Sequence, residues 1–309
     1  MTSTTLSEEV FPLTHGGFSY SGRIVRRPDA RLAPIVLIGG AFQHQDSWGR
    51  LERMFLEAAS VITVDLPGWG AADPLPARYG IDFLCDALGR LLDKAAPYTV
   101  NVVGASYGSA VAHEWVRRHP DRAERLVLVG TMARLTDHVR ARVELTLRTL
   151  ERGGHAEFVD QILDTMVCRA PRVTVARRAT VLRCLTRALN GLTADGKLKY
   201  RENTRRLLDH PAPAGGPPVR VPVLVTTGEH DPLTTPALSR EVSARCADAR
   251  FAVVKDADHL VHLERPAELV ELILKFLADE PLTGLDYCHP VEHTGHPLPV
   301  PSPRAGGGR

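Results

Sequence analysis

The sequence predicts an α/β fold: a mostly parallel central sheet with helices on both faces and an inserted all-helical cap. Apolar runs of strand length alternate with helical patterns, which is typical of a parallel sheet. Residues 132–218 interrupt this alternation with helical periods and little strand signal, and their end is rich in Pro and Gly. The predicted units are a flexible N-terminus (1–10), an α/β core (11–131 and 219–280), a helical cap (132–218) and a Pro/Gly-rich C-terminal tail (281–309).

The individual elements follow from hydrophobic periodicity. Residues 11–27 alternate apolar and polar side chains around Gly16-Gly17, which predicts a leading antiparallel hairpin. Short runs rich in Val, Ile and Leu predict buried strands at 34–38, 61–65, 98–103, 125–129, 221–227 and 251–254. Apolar residues three and four apart predict core helices near 48–59, 81–95, 107–118, 236–246 and 267–278, and cap helices near 139–150, 158–167, 175–189 and 198–208.

The composition is that of an ordinary globular protein. The 309 residues are 44% hydrophobic and 24% charged, and a net charge of +2 without a basic-aromatic module argues against nucleic acid as a partner. No apolar stretch approaches the roughly 20 residues that span a bilayer, and the start MTSTTLSEEV lacks the pattern of a signal peptide. We therefore expect a cytoplasmic protein without a membrane partner, in an oligomeric state that the sequence leaves open.

The cysteines and the tail histidines are candidate metal ligands, which the histidines suggest by composition. The five cysteines are scattered, odd in number and without metal-ligand spacing, which suits buried thiols in a reducing compartment. The tail adds His289, His293 and His296 close to Cys288, but the surrounding Pro and Gly residues provide nothing to hold a tetrahedral shell. We expect no metal, no cofactor, and a disordered or loosely attached tail.

The pentapeptide Gly104-Ala105-Ser106-Tyr107-Gly108 is the most informative local feature. It lies between a predicted buried strand and a predicted helix, which is the setting of a nucleophile elbow. A serine on such a strained turn projects its Oγ above the sheet edge, and side chains two residues to either side would collide with the neighbouring strand and helix. Ser106 is therefore the candidate nucleophile.

A serine nucleophile requires a base to accept its proton and a carboxylate to orient that base. Asp231 follows the predicted strand 221–227, and His259 lies on a loop between the strand 251–254 and the last helix. Both stand at the carboxyl edge of the predicted sheet, where ligands bind in open α/β sheets. The order serine, acid, histidine is the one expected for this elbow.

Other interpretations compete for each role. Ser106 could be a small residue in a tight turn, and Asp231 could cap the helix that follows it. Asp137 is an alternative acid, although it lies several residues beyond its strand. His262 is an alternative base, three residues from His259.

The chain resembles the α/β-hydrolase superfamily from about residue 11 to about 280, outside the cap interior. The resemblance rests on four motifs in order: Val-Ile-Thr-Val-Asp-Leu-Pro-Gly-Trp-Gly (61–70), Gly-Ala-Ser-Tyr-Gly (104–108), Gly-Glu-His-Asp-Pro (228–232) and the His-x4-Glu-x-Pro run (259–266). It implies a serine hydrolase with a Ser106-Asp231-His259 triad and favours His259 over His262. It does not identify a substrate, because this fold hosts many chemistries.

Two departures from the family pattern bear on the site. Residues 39–40 are Gly-Gly where related chains often carry His-Gly. The resemblance still implies that the backbone N–H groups of Ala41 and Tyr107 form an oxyanion hole. Asp258 stands where the family usually has glycine; its carboxylate could raise the pKa of His259, but we expect it to face solvent.

Substrate contacts are expected on both sides of the nucleophile. Phe42, Gln43 and Trp48 follow the oxyanion turn and are candidate substrate-binding residues, although Trp48 could instead pack in the core. Residues 132–220 carry 17 Arg and Lys against 9 Asp and Glu. These charges are either solvated faces of amphipathic helices or a surface for an acidic substrate such as a carboxylate, an enolate, a phosphopantetheine thioester or an acidic carrier protein.

The predicted function is a serine hydrolase that cleaves an ester, lactone or thioester of a small hydrophobic or acidic metabolite, in secondary metabolism, through an acyl-enzyme. Other outcomes stay open. The acyl group could pass to an alcohol or amine, or the Ser-His pair could assist elimination of an acyloxy group or carbon–carbon cleavage. The fold could also be a ligand-binding module that has lost turnover.

Overall fold

The computed structural model describes residues 5–209 and 218–295. Within them, nine strands form one sheet: β1 (Ser7–His15), β2 (Phe18–Arg26), β3 (Ile35–Ile38), β4 (Val61–Asp65), β5 (Val100–Ala105), β6 (Ala123–Val129), β7 (Val223–Gly228), β8 (Ala249–Val254) and β9 (Glu292–Thr294). The strand order is β1-β2-β4-β3-β5-β6-β7-β8-β9. Neighbouring strands from β4 to β8 are parallel, whereas β1, β2 and β9 are antiparallel additions at the two edges.

The helices lie on the two faces of the sheet and in one insertion. Their bounds are α1 (Gly49–Phe55), α2 (Ile81–Ala95), α3 (Tyr107–Arg118), α4 (Asp137–Glu151), α5 (His155–Met166), α6 (Arg178–Asn190), α7 (Ala194–Asp209), α8 (Pro236–Ser243), α9 (Val261–Glu264) and α10 (Pro266–Leu277), with 3-10 helices at Gln45–Trp48 and Pro120–Arg122. Among the described residues, no helix is long and apolar enough to cross a bilayer.

The central strands are buried because helices cover both of their faces. Successive side chains of a strand point to opposite faces. Val102 of β5 therefore joins the cluster of α2 and α3, which includes Leu88 and Trp115. Val103 joins the cluster of α1 and α10, which includes Phe55 and Ile273. This arrangement confirms the predicted fold class.

Four helices, α4 to α7, are inserted between β6 and β7, and no strand of the described residues interrupts them. Their apolar faces meet in a separate cluster, which includes Phe158, Ile162, Val181 and Leu189. Amphipathic helices that share such a cluster bury one face and leave the opposite face polar. The insertion is thus all-helical, as predicted.

The chain ends differ from the prediction. β1 begins at Ser7, so residues 7–10, predicted to be flexible, pair with β2. At the other end, residues 292–294 form β9 against β8, and Leu282, Leu285 and Tyr287 pack on the apolar core. The prediction of a loose tail is therefore wrong for this docked segment, which has too few apolar residues to show a period. Residues 1–4, 210–217 and 296–309 lie outside the described residues. They include most of the Pro- and Gly-rich end of the insertion, and His296.

Candidate active site

Ser106 lies at the junction between β5 and α3, as the elbow predicts. Its backbone has φ 50° and ψ −117°, a conformation that L-residues rarely adopt. Hydrogen bonds hold the turn on both sides: the Ser106 N–H donates to the Val129 carbonyl at 2.8 Å, and the Ser106 carbonyl accepts from the Ser109 N–H at 2.9 Å. Strain of this kind persists only where the surrounding structure over-determines it.

Close contacts explain the two glycines of the motif. A Cβ on Gly104 would lie 2.6 Å from the Cβ of Ala112, and one on Gly108 would lie 2.3 Å from the carbonyl oxygen of Ile38. Both distances are shorter than real Cβ contacts. The serine can therefore sit on this turn only if both flanking positions lack a side chain.

The structure brings Ser106, Asp231 and His259 together at the carboxyl edge of the sheet. His259 Nε2 lies 3.0 Å from Ser106 Oγ, and His259 Nδ1 lies 2.9 Å from Asp231 Oδ2. With its proton on Nδ1, the imidazole donates to Asp231 and presents the Nε2 lone pair to the serine hydroxyl. Asp231 and His259 are only 3% and 5% exposed, so their interaction is shielded from bulk water.

Asp231 is held by further hydrogen bonds. The hydroxyls of Thr227 and Thr234 donate to its Oδ2 at 3.0 and 2.6 Å, and the N–H groups of Leu233 and Thr234 donate to its Oδ1 at 2.8 Å. Sequence reasoning did not single out the two threonines. Their only signal is their position beside the Gly-Glu-His-Asp-Pro motif.

Local charges set the protonation of the pair. Burial disfavours the imidazolium of His259, but the charge and hydrogen bond of Asp231, together with the charge of Asp258, outweigh burial and raise the pKa of His259. Burial likewise opposes ionisation of Asp231, but His259 and Thr234 outweigh it, and the pKa of Asp231 is lowered. At His262, burial and a smaller contribution from the charge of His259 lower the pKa to about 4. Nε2 of His259, rather than the ring of His262, accepts the hydrogen bond of the Ser106 hydroxyl.

Asp258 is fully buried, so the expectation that it faces solvent is wrong. Its carboxylate accepts the N–H groups of Cys168 at 2.9 Å and Leu260 at 3.2 Å, and its own N–H donates to Glu264 at 2.7 Å. Burial and the adjacent Asp258 raise the pKa of Glu264 to about 10. Because Cys168 lies between α5 and α6, Asp258 joins the inserted helices to the loop of His259.

The turn after β3 lies directly against the nucleophile. A Cβ on Gly40 would lie 3.0 Å from the Cβ of Ser106, so a larger residue would push the turn away. The Gly40 N–H donates to Gln43 Oε1 at 2.6 Å, which makes Gln43 a support of the turn. Within the described residues, the N–H groups of Ala41 and Tyr107 donate to no protein acceptor. They are free to receive a developing negative charge.

Phe42 belongs to the apolar cluster of the insertion. Its ring stacks on Tyr200 of α7 at 4.7 Å, and Tyr200 meets Phe158 of α5 edge-on at 5.3 Å. Leu260, next to His259, packs in the same cluster. Apolar side chains of the inserted helices therefore meet both the turn after β3 and the loop of His259.

The prediction of Trp48 as a substrate-binding residue is wrong. The indole is 3% exposed and packs with Leu51 and Phe55 in the cluster of α1 and α10. The 3-10 helix at Gln45–Trp48 directs the ring inward, towards the core. The alternative interpretation, in which Trp48 packs in the core, describes its place.

Other potential sites lie apart from this one. Open surface grooves of about 560 and 500 Å³ are lined by the N-terminal hairpin with α2 and by α1 with α10, respectively. No group of three or more His, Cys, Asp or Glu side chains within 5–209 and 218–295 could hold a metal ion. In the docked segment, Cys288 is buried, and His289 Nε2 lies 3.0 Å from Glu229 Oε1.

Two relatives of known name match most of this chain. A pimeloyl-[acyl-carrier protein] methyl ester esterase of Chromobacterium violaceum is 27% identical over 252 residues, which cover 79% of this chain and 93% of that protein. A poly(3-hydroxyalkanoate) depolymerase of Ectopseudomonas oleovorans is 25% identical over 265 residues, which cover 83% of this chain and 88% of that protein.

A solved structure and a family model extend the comparison. The enol-lactonase from Burkholderia xenovorans superimposes with a TM-score of 0.72 at 25% identity, over 86% of this chain and 99% of that one. The model of the family described as alpha/beta hydrolase fold matches residues 33–266, a span that includes Ser106, Asp231 and His259. The predicted resemblance is confirmed: this chain belongs to the alpha/beta hydrolase fold family.

Proposed function

We propose that this chain is a serine hydrolase that cleaves an ester, lactone or thioester of a small metabolite with an apolar acyl group. The observation that carries the proposal is the unbroken hydrogen-bond chain from Ser106 Oγ through His259 to Asp231. The relatives support an ester hydrolase in general, since their names describe a methyl ester esterase, a polyester depolymerase and an enol-lactonase.

In the proposed first half-reaction, His259 Nε2 accepts the proton of Ser106 Oγ while that oxygen attacks the substrate carbonyl carbon. Asp231 keeps the proton of the neutral imidazole on Nδ1 and stabilises the imidazolium. The N–H groups of Ala41 and Tyr107 bind the oxyanion; one such donor typically lowers the barrier by about 3 kcal/mol. The imidazolium then protonates the leaving alcohol or thiol, and the acyl-enzyme remains.

The second half-reaction repeats this proton transfer with water. His259 deprotonates a water molecule as its oxygen attacks the acyl carbon, and the same backbone N–H groups bind the second oxyanion. The bond between the acyl carbon and Ser106 Oγ then breaks, and the serine oxygen takes back the proton from His259. The acid leaves with one oxygen from solvent.

The preference for an apolar acyl group rests on the apolar cluster of the insertion. Phe42, Tyr200 and Leu260 belong to this cluster, and Leu260 adjoins His259. In this proposal α4 to α7 act as a cap whose apolar faces contact the acyl chain. Each buried methylene contributes about 0.8 kcal/mol, so kcat/KM rises by up to about fourfold per added methylene until the pocket is filled.

Covalent labelling tests the nucleophile. A fluorophosphonate probe is expected to label the wild-type protein and the Ser19→Ala variant, which lacks an exposed serine of β2. It is expected not to label Ser106→Ala, and kcat on p-nitrophenyl esters falls by at least about a thousandfold in that variant. Equal labelling of wild type and Ser106→Ala would contradict the proposal, as would no labelling of either.

Product analysis in 18O-water separates the rival outcomes. Hydrolysis through an acyl-enzyme places one solvent oxygen in the carboxylate. Elimination of an acyloxy group releases an acid without solvent oxygen, and acyl transfer yields a new ester or amide. A ligand-binding module yields none of these products.

A second candidate substrate is an acyl group attached to an acidic carrier protein. Residues 165–194 contain six arginines and no Asp or Glu. Arg183 and Arg187 lie one turn apart on the exposed face of α6, and neither forms an ion pair with another described residue. Arg177, just before α6, donates to the carbonyl of Leu263 at 3.0 Å, so this basic segment adjoins the loop of His259. Charge complementarity of this kind attracts an acidic partner.

Charge reversal tests the carrier. We expect Arg183→Glu with Arg187→Glu to lower kcat/KM about tenfold for an acyl-carrier protein, and high salt to weaken the difference. The same acyl group on pantetheine should be cleaved as by the wild-type protein. Arg245→Glu, at an exposed position of the core, is the matched control. Equal losses on both substrates would exclude recognition of the carrier.

A further inference from the structure

One arginine of α7 is buried without an acidic partner. Arg206 is 0% exposed, and no carboxylate among the described residues lies within ion-pair distance of it. An unpaired charge out of water is strongly unfavourable unless its surroundings satisfy it with hydrogen bonds.

Its donors are fully used by uncharged acceptors. Two N–H groups meet side chains and three meet backbone carbonyls: Tyr107 Oη (3.1 Å), Asn203 Oδ1 (2.5 Å), and the carbonyls of Tyr79 (2.5 Å), Leu75 (2.7 Å) and Pro76 (3.2 Å). Because a guanidinium has five N–H donors, none remains for an anionic substrate. The role of Arg206 is therefore to hold protein groups in place.

Other residues on the same side of α7 make similar contacts. Lys199 Nζ donates to the carbonyl of Gly70 at 2.8 Å, and Asn203 Nδ2 donates to that of Gly68 at 2.9 Å. With Arg206 they follow the spacing of one helix face. This contact face, made of Lys199, Asn203 and Arg206, attaches α7 to the loop of residues 66–79.

Contacts connect this face to both residues of the proposed oxyanion hole, Tyr107 and Ala41. The Tyr107 hydroxyl accepts from Arg206, and the Tyr107 ring meets Trp69 edge-on at 4.9 Å. Trp69 Nε1 donates to the carbonyls of residues 39–40 at 3.2 and 3.3 Å, in the turn that leads into Ala41. The side chains of Tyr107 and Trp69 thus connect Arg206 to the two backbone N–H groups.

We propose that Arg206 is a positioning residue of the oxyanion hole. It fixes the Tyr107 ring and, through Trp69, the turn at residues 39–40, so that the N–H groups of Tyr107 and Ala41 converge on one point. A planar fork with five donors suits this task, whereas an ammonium with three donors does not. The inference rests on the proposed function. In it, α7 helps to position the groups that stabilise the transition state.

Substitution of Arg206 tests the role against a matched control. In Arg206→Met we expect kcat on an ester to fall about 10- to 100-fold while KM stays within about twofold, because an oxyanion hole acts on the transition state. Affinity for a trifluoromethyl ketone, whose serine adduct carries an oxyanion, should fall by the same factor as kcat/KM. Arg206→Lys should not restore kcat. Arg205→Met, on the same helix but paired with Glu151 at the surface, should retain wild-type kinetics.

Smaller changes keep the proposal testable if Arg206→Met does not fold. Tyr107→Phe removes only the acceptor hydroxyl, and Trp69→Phe removes the indole N–H together with part of the ring. Each should lower kcat and trifluoromethyl ketone affinity at nearly constant KM. The effects of Tyr107→Phe and Arg206→Lys should be less than additive, since both break the same hydrogen bond.

The outcomes separate this inference from the function on which it rests. A wild-type protein without Ser106-dependent turnover overturns both. Wild-type turnover, with unchanged kcat and inhibitor affinity in the folded variants, overturns the positioning role alone. A lower unfolding temperature with wild-type kcat also overturns it, because Arg206 would then contribute only to stability.

Discussion

At the scale of single residues, two carboxylates act on His259 in different ways. Asp231 accepts its Nδ1–H and determines the tautomer, whereas Asp258 acts through its charge and binds backbone N–H groups. Both stabilise the imidazolium and raise the pKa of His259 above its ordinary value of about 6.5. Because the proposed mechanism needs the neutral imidazole, a raised pKa moves the acidic limb of activity to higher pH.

The contribution of Asp258 can be measured with Asp258→Asn. The variant keeps an oxygen acceptor but loses the charge, so the imidazolium is less stabilised and the pKa of His259 falls. We expect the acidic limb of kcat/KM against pH to move to lower pH, so that activity persists under more acidic conditions. Asp256 lies two residues before Asp258 and forms an ion pair with Arg265, so Asp256→Asn is the control and should leave the limb in place. A limb that stays or moves upward in Asp258→Asn would refute this explanation.

Thr234 offers a second prediction at this scale. Its hydroxyl donates to Asp231 Oδ2 at 2.6 Å in a buried environment. Hydrogen bonds to charged groups contribute about 1.5–3 kcal/mol, so Thr234→Val should reduce kcat/KM about tenfold or more. Thr234→Ser keeps the hydroxyl and should retain most of the activity. Steady-state kinetics on one ester would measure both variants. A fully active Thr234→Val would show that the Thr234 hydroxyl does not contribute to activity.

At the scale of elements, burial determined what the sequence could predict. α2 and α3 lie at residues 81–95 and 107–118, as predicted, because each buries one apolar face. β1 begins earlier than predicted because residues 7–10 are exposed and so have no reason to alternate. Ser106, Asp231 and His259 could be found because each follows a strand within a motif. Arg206 could not, because its acceptors, such as Tyr107, are distant in sequence.

Substituting alanine for glycine should have opposite effects on stability in the elbow and inside α2. In Gly108→Ala, the new Cβ would lie 2.3 Å from the Ile38 carbonyl, so the turn must move, and we expect a loss of about 2–3 kcal/mol or failure to fold. In Gly89→Ala, inside α2, the nearest atom is 3.6 Å away. Alanine should stabilise that helix by about 0.5–1 kcal/mol. Denaturant unfolding measures both, and a Gly108→Ala variant as stable as wild type would contradict the close contact.

At the scale of the whole molecule, the candidate site lies where the insertion joins the core. The connections come from different parts of the insertion: the Cys168 N–H binds Asp258, Arg177 binds the Leu263 carbonyl, and Arg206 binds Tyr107. A movement of the inserted helices would therefore displace both the loop of His259 and Tyr107. If the proposed function holds, this arrangement couples substrate binding beneath the inserted helices to the alignment of Ser106, His259 and Tyr107.

The docked C-terminal segment should unfold together with the core. Cys288, in this segment, and Cys85, in α2, are buried, and burial raises the pKa of each thiol to about 12. A thiol reagent should modify the exposed Cys184 first, and Cys184→Ser should remove this fast phase. Mass spectrometry at increasing denaturant should then show Cys288 and Cys85 becoming reactive in one transition, because Tyr287 and Leu285 pack on the same core as β8. Modification of Cys288 at concentrations that still protect Cys85 would mean that the segment opens independently.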